Sequence, residues 1–92
     1  ENKSGLIEWQ LENQWSLYPN PNEGRFKLRM EQGDWSGLEI QILDAQGRVL
    51  AAQKGGQESE LDFDLKLASG VYHLQILKQG SLMDQTRVVI QH

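Results

Sequence analysis

Leu17-Tyr18-Pro19-Asn20-Pro21-Asn22-Glu23-Gly24-Arg25-Phe26 sets two prolines, two asparagines and a glycine between apolar residues on both sides. Each proline fixes its own φ and pushes the residue before it, Tyr18 or Asn20, toward extended or turn geometry. Asn22 and Gly24 tolerate positive φ. The stretch reads as a rigid two-stage corner. Phe26, Leu28 and Met30 then alternate with Arg25, Lys27 and Arg29, which is a half-buried strand starting at once.

Outward from the corner the same period of two recurs. Upstream, Trp15-Ser16-Leu17-Tyr18 alternates into the first proline, and Ile7, Trp9 and Leu11 alternate before it, as a strand or as an extended tail on the sheet. Downstream, Leu38, Ile40 and Ile42 mark a strand. Asp44-Ala45-Gln46-Gly47 has the composition of a type I hairpin turn, and residues 49–53 return. Leu61, Phe63, Leu65 and Leu67 alternate with acids and Lys66. Tyr72, Leu74 and Ile76 follow, then the turn Lys78-Gln79-Gly80-Ser81. A last strand over residues 82–90 puts Thr86, Val88 and Ile90 on one face. No segment shows a helical period. About seven short strands at intervals of roughly 8–12 residues indicate an all-β sandwich or barrel, and a local detail at Tyr72 favours the immunoglobulin-like antiparallel β-sandwich. Tyr72, just after Ala68-Ser69-Gly70, stands where such sandwiches place a tyrosine whose hydroxyl bonds upstream backbone. The expected inward set is Phe26, Leu28, Ile40, Ile42, Leu61, Phe63, Leu65, Tyr72, Leu74 and Val88.

Composition narrows the function. A chain of 92 residues supports one thin-cored domain. With no cysteine, disulfides and thiolate metal sites are excluded. Thirteen acidic residues against nine basic give a net charge of -4, which argues against nucleic acid as a partner. No apolar run is long enough for a transmembrane segment. Glu1-Asn2-Lys3-Ser4-Gly5 is polar and looks like a cut end, so residues 1–14 are read as a linker or N-terminal extension of a longer protein, and 15–92 as the domain.

Chemistry is sparse. Glu58, Glu60, Asp62 and Asp64 share one strand face at roughly 7 Å intervals. Such carboxylates serve glycoside hydrolysis or calcium binding, but a solvated face that blocks edge-to-edge aggregation is the better account. Arg25, Lys27 and Arg29 form a basic stripe expected to pair with acids such as Glu39 across the sheet. His73 and His92 have no nucleophile partner. Trp9, Trp15 and Trp35 make either a sugar-stacking platform or, more commonly, core. The reading is therefore of a non-enzyme, with no catalytic residues, no metal and no cofactor.

Four motifs in order carry a resemblance: Leu17-Tyr18-Pro19-Asn20-Pro21 with Gly24 and Phe26; Ile42, Asp44, Gly47 and Arg48; Leu61 and Leu65, then Gly70-Val71-Tyr72 with Leu74 and Ile76; and Arg87-Val88-Val89-Ile90. Together they resemble the type A C-terminal sorting domains of type IX secretion cargo, the Por secretion system family. The family favours Lys where Arg87 stands. The resemblance implies a seven-stranded immunoglobulin-like targeting signal without catalytic activity. Its cargo would be the upstream domain of the same precursor, and its partners the type IX translocon and a surface sortase. The resemblance further implies that the sortase would remove the domain and join the cargo to anionic lipopolysaccharide. The implied route runs through the periplasm to the cell surface or outside. Pro19, Asn20, Pro21 and Gly24 would shape the corner, Gly47 and Arg48 the central hairpin, Gly70 and Tyr72 the late strand, and Arg87, Val88, Val89 and Ile90 the recognised end. The alternative is a carbohydrate-binding or structural fibronectin-like accessory module of a secreted enzyme.

Overall fold

The computed structural model describes residues 15–92. The readings of Ile7, Trp9 and Leu11, and of a linker over residues 1–14, lie outside the described residues. Seven strands follow one another: β1 (Trp15–Tyr18), β2 (Arg25–Met30), β3 (Leu38–Leu43), β4 (Val49–Lys54), β5 (Glu60–Asp64), β6 (Gly70–Lys78) and β7 (Ser81–Ile90). They form two antiparallel sheets, ordered β1-β2-β5 and β4-β3-β6-β7. The described residues are all-β, the immunoglobulin-like sandwich expected from the period of two.

That period decides what is buried. Phe26, Leu28 and Met30 of β2 turn inward with Leu61 and Phe63 of β5, and meet Ile40, Ile42, Leu74, Ile76, Val88 and Ile90 from the other sheet. Phe26 stands opposite Phe63 in the ladder, and their rings stack 5.0 Å apart at 7°. Stacking of this kind adds to area burial in a small core. Leu65 and Tyr72 are only half-buried, packed against the core from its margin. Leu65 lies beyond the end of β5, where the chain leaves the sheet.

The alternation conceals one core residue. Trp35 sits in the loop between β2 and β3 and is 0% exposed. Its backbone N–H donates to Glu58 O at 3.2 Å and its indole N–H to Ser59 O at 3.0 Å. Trp15 packs on it edge to face, centroids 6.3 Å apart at 72°, and bridges the sheets by donating its indole N–H to Asp84 Oδ2 at 2.7 Å. An indole is both large and a donor, so when buried it seeks a partner of this kind.

The basic stripe pairs differently from the expectation. Glu39 lies in the opposite sheet from β2, so it is out of register with Arg25, Lys27 and Arg29. Their cross-strand neighbours are Asp64, Asp62 and Glu60 of β5. Arg25 approaches Asp64 at 3.5 Å, and Lys27 approaches Asp62 at 3.2 Å and Glu60 at 4.0 Å. Asp62 above all, and then Glu60, hold the Lys27 ammonium above its ordinary value. The Tyr18 hydroxyl donates to Glu60, which pushes the phenol up as well. These acids form a solvated, charge-matched face beside the sheet edge, and no cluster of His, Asp or Glu among the described residues is arranged to hold a metal.

Candidate recognition surface

The proline corner crosses from the three-stranded sheet to the outer edge of β7 in the four-stranded one. Both X-Pro bonds, Tyr18-Pro19 and Asn20-Pro21, are cis. The Asn20 carboxamide donates through Nδ2 to Arg87 O at 3.2 Å and accepts at Oδ1 from Val89 N at 3.0 Å. One side-chain amide thus stands in for a peptide unit of an added strand. Two residues on, the backbone takes over. Asn22 N donates to Val89 O at 3.0 Å, and Asn22 O accepts from Gln91 N at 2.8 Å, a parallel bridge to Ile90. An edge strand presents unpaired N–H and C=O groups. Here those of Arg87, Val89 and Gln91 are closed from within the chain.

Asn22 does not take the positive φ that its residue type allows. It is 7% exposed, the buried polar residue of the described chain. Its Nδ2 donates to Pro19 O at 3.0 Å, and its Oδ1 accepts from Gly24 N at 2.8 Å. The side chain therefore closes the corner while the main chain fastens it to β7. Gly24 does adopt the left-handed region, at φ 108°. A Cβ there would run into Leu65 O, whose own N–H donates to Gly24 O at 2.8 Å. Conformation and space both demand glycine.

The central hairpin is organised by Asp44. Gly47 N donates to Asp44 O at 3.0 Å, closing the turn, with Gly47 at φ 86°. Asp44 Oδ1 accepts from Gln46 N and Arg48 N, each at 2.9 Å, and Oδ2 pairs with Arg48 Nε at 2.7 Å. The Arg48 backbone N–H, its guanidinium and the Gln46 amide hold the Asp44 carboxyl below the usual carboxylate range. Arg48 thus serves the turn, although its side chain remains exposed.

At the late corner the Tyr72 hydroxyl donates to Ala68 O at 2.7 Å, the bond expected for a tyrosine in that place. Gly70 has no positive φ, and a Cβ there would meet the Tyr72 ring at an ordinary 3.7 Å. On β7, Val88 and Ile90 point into the core, whereas Arg87 and Val89 point out. His92 fastens the chain beyond β7: its N donates to Ser69 Oγ at 3.1 Å and its ring meets Leu67 O at 2.7 Å.

Register gathers these motifs. Leu43 stands opposite His73, and His73 opposite Arg87. The central hairpin therefore leaves its sheet at the end where β6 begins and β7 finishes, and the corner is hydrogen-bonded to that same end. Sequence reasoning missed the closing role of Asn22 and the Trp15–Asp84 bridge, and it favoured core for Trp35 from residue type alone. Only the alternation of Asn with Pro hinted at the first.

No curated protein matches this chain. A solved structure with the same fold is that of PorZ, an essential bacterial surface component of the type-IX secretion system of human oral-microbiomic Porphyromonas gingivalis. The likeness has a TM-score of 0.69 at 20% identity over 96% of this chain. The chain spans 13% of that protein's length. Residues 16–91 match the family described as secretion system C-terminal sorting domain. That span runs from within β1 to Gln91, just past the end of β7, and the chain belongs to the C-terminal sorting-domain family of the type IX secretion system.

Proposed function

We propose that residues 15–92 act as a folded export address, read as a composite of the proline corner and the end of β7. The observation carrying this is the set of hydrogen bonds from Asn20 and Asn22 to residues 87–91. The corner and the last strand, the two outermost of the motifs, depend on each other for shape, so a receptor that reads one reads the other. Residues 1–14 join this address to an upstream cargo domain of the same precursor. The cargo crosses the periplasm, passes the outer membrane through the type IX translocon, and reaches the surface or the medium. A surface sortase then removes the address and links the cargo to anionic lipopolysaccharide. Within the address, Pro19, Asn20, Pro21 and Gly24 hold the corner, Gly47 and Arg48 the central hairpin, Gly70 and Tyr72 the late corner. Arg87 and Val89 face the receptor, while Val88 and Ile90 anchor the strand.

The alternative of a carbohydrate-binding module loses support from the tryptophans. Trp35 has no exposed face, and Trp15 is half-buried with its indole N–H engaged. The test is export of a reporter fused ahead of the full chain in a type IX-secreting bacterium. Removing residues 87–92 should trap the fusion in the envelope. Arg87→Gln should lower export while shifting stability by no more than about 0.5 kcal/mol, and Arg87→Lys should export normally. Normal export of the deletion and of Arg87→Gln, with both still folded, would overturn the reading.

A further inference from the structure

The outer faces of the two sheets differ in kind. On β2 and β5 every outward charge has an opposite neighbour directly across the ladder. On the four-stranded sheet, the row Val49–Leu43–His73–Arg87 crosses all four strands, and Val71 lies opposite Val89 beside it. These six outward positions include no acid. The next row is neutral, with Gln41, Gln75 and Gln85 in register. Val49 is 50% exposed and Val71 44%. Among the described residues, no ion pair involves Arg87.

An apolar patch holding one guanidinium that no acid among the described residues pairs with has the composition of an interface centre, where Arg and apolar groups gather and acids are depleted. We infer that this face docks a protein segment presenting a carboxylate among apolar side chains, the carboxylate meeting Arg87 and the apolar groups covering Val71, Val89 and Val49. A guanidinium matches a carboxylate in planar, two-pronged geometry. An anionic lipid surface fits less well. Electrostatic attachment to lipid needs a cluster of several basic groups, whereas this face has one arginine on a chain of net charge -4. The inference rests on the export reading and names the surface and partner chemistry behind it.

The test supplies Arg87 with a carboxylate from its own sheet. His73 is exposed and directly opposite Arg87, so His73→Glu creates a cross-strand ion pair, which does not destabilise the fold. In the reporter fusion, with melting temperatures measured in parallel, His73→Glu should remain fully folded and cut export about tenfold, the order expected for one lost interfacial ion pair. His73→Gln, which adds no charge beside Arg87, should retain more export than His73→Glu. Val71→Ser should reduce export several-fold with the fold intact. Lys27→Gln, on the other sheet, should export as wild type. Normal export of both His73→Glu and Val71→Ser would overturn the inference and leave the export reading standing. An equal loss from Lys27→Gln would also overturn it. Arg87-dependent sedimentation of the purified chain with anionic lipid vesicles would replace the protein partner by a membrane. A wild-type fusion retained inside the cell would remove the export reading itself.

Discussion

The edges of β7 and β5 are guarded by different means. The outer edge of β7 is matched group by group: a carboxamide to Arg87 O and Val89 N, a main chain to Val89 O and Gln91 N. The edge of β5 carries alternating acids set against Arg25 and Lys27, which repel or attract without specifying geometry. Charge protection tolerates many sequences. Hydrogen-bond protection tolerates few, because each donor must meet its acceptor. The Pro-Asn-Pro motif lies at the second kind of edge.

The largest break in this contrast should come from Gly24→Ala. It forces a side chain into the left-handed region and against Leu65 O, and should cost about 3–4 kcal/mol, read as a large drop in the urea midpoint. Asn22→Ala should follow at about 2–3 kcal/mol, since Gly24 N and Pro19 O lose their partner in a buried site. Asn20→Ala, at the exposed rim, should cost about 1 kcal/mol. Its clearer signature is faster amide exchange at Val89, with β5 amides unchanged. Asp62→Asn on the other edge should move the melting temperature by no more than about 1–2 °C, and less in high salt. A large effect at Asp62 with a small one at Asn20 would invert the comparison.

Acid should act on the central hairpin. The Asp44 carboxyl is held below its ordinary 3.8 in the folded chain, so the unfolded chain takes the proton more readily. Its contribution is complete above that ordinary value and disappears as pH falls through the lowered folded-state value. Asp44→Asn should therefore flatten the acid limb of melting temperature against pH while leaving the neutral region similar in shape.

Sheet membership explains what was legible in the residues. Phe26, Leu28, Ile40, Ile42, Leu61, Phe63, Leu74 and Val88 were readable as core because a strand alternates its faces whatever it pairs with. The pairing of Lys27 was not readable: Glu39 and Asp62 are both acids on strands, and only topology puts β5 beside β2. Trp35 was readable as core only from its residue type, because a loop has no period to betray an inward residue. Asn22 was hidden because its partners lie partly in the chain around it and partly on β7. Tyr72 was legible because its bond to Ala68 is local. Of the candidate surface, the motifs were visible one at a time, but their meeting at one end of the sandwich required register.

The bridge between Asn20 and Arg87 also bears on timing. Its partners are 67 residues apart in sequence. Loop-closure entropy delays such contacts in folding, and during synthesis they cannot exist until the last strand has been made. A nascent chain carries the proline corner early, but without β7 that corner has nothing to seat against. As an export address it would stay blank until the chain is complete through residue 91, so unfinished or clipped precursors would be passed over without any separate inspection step.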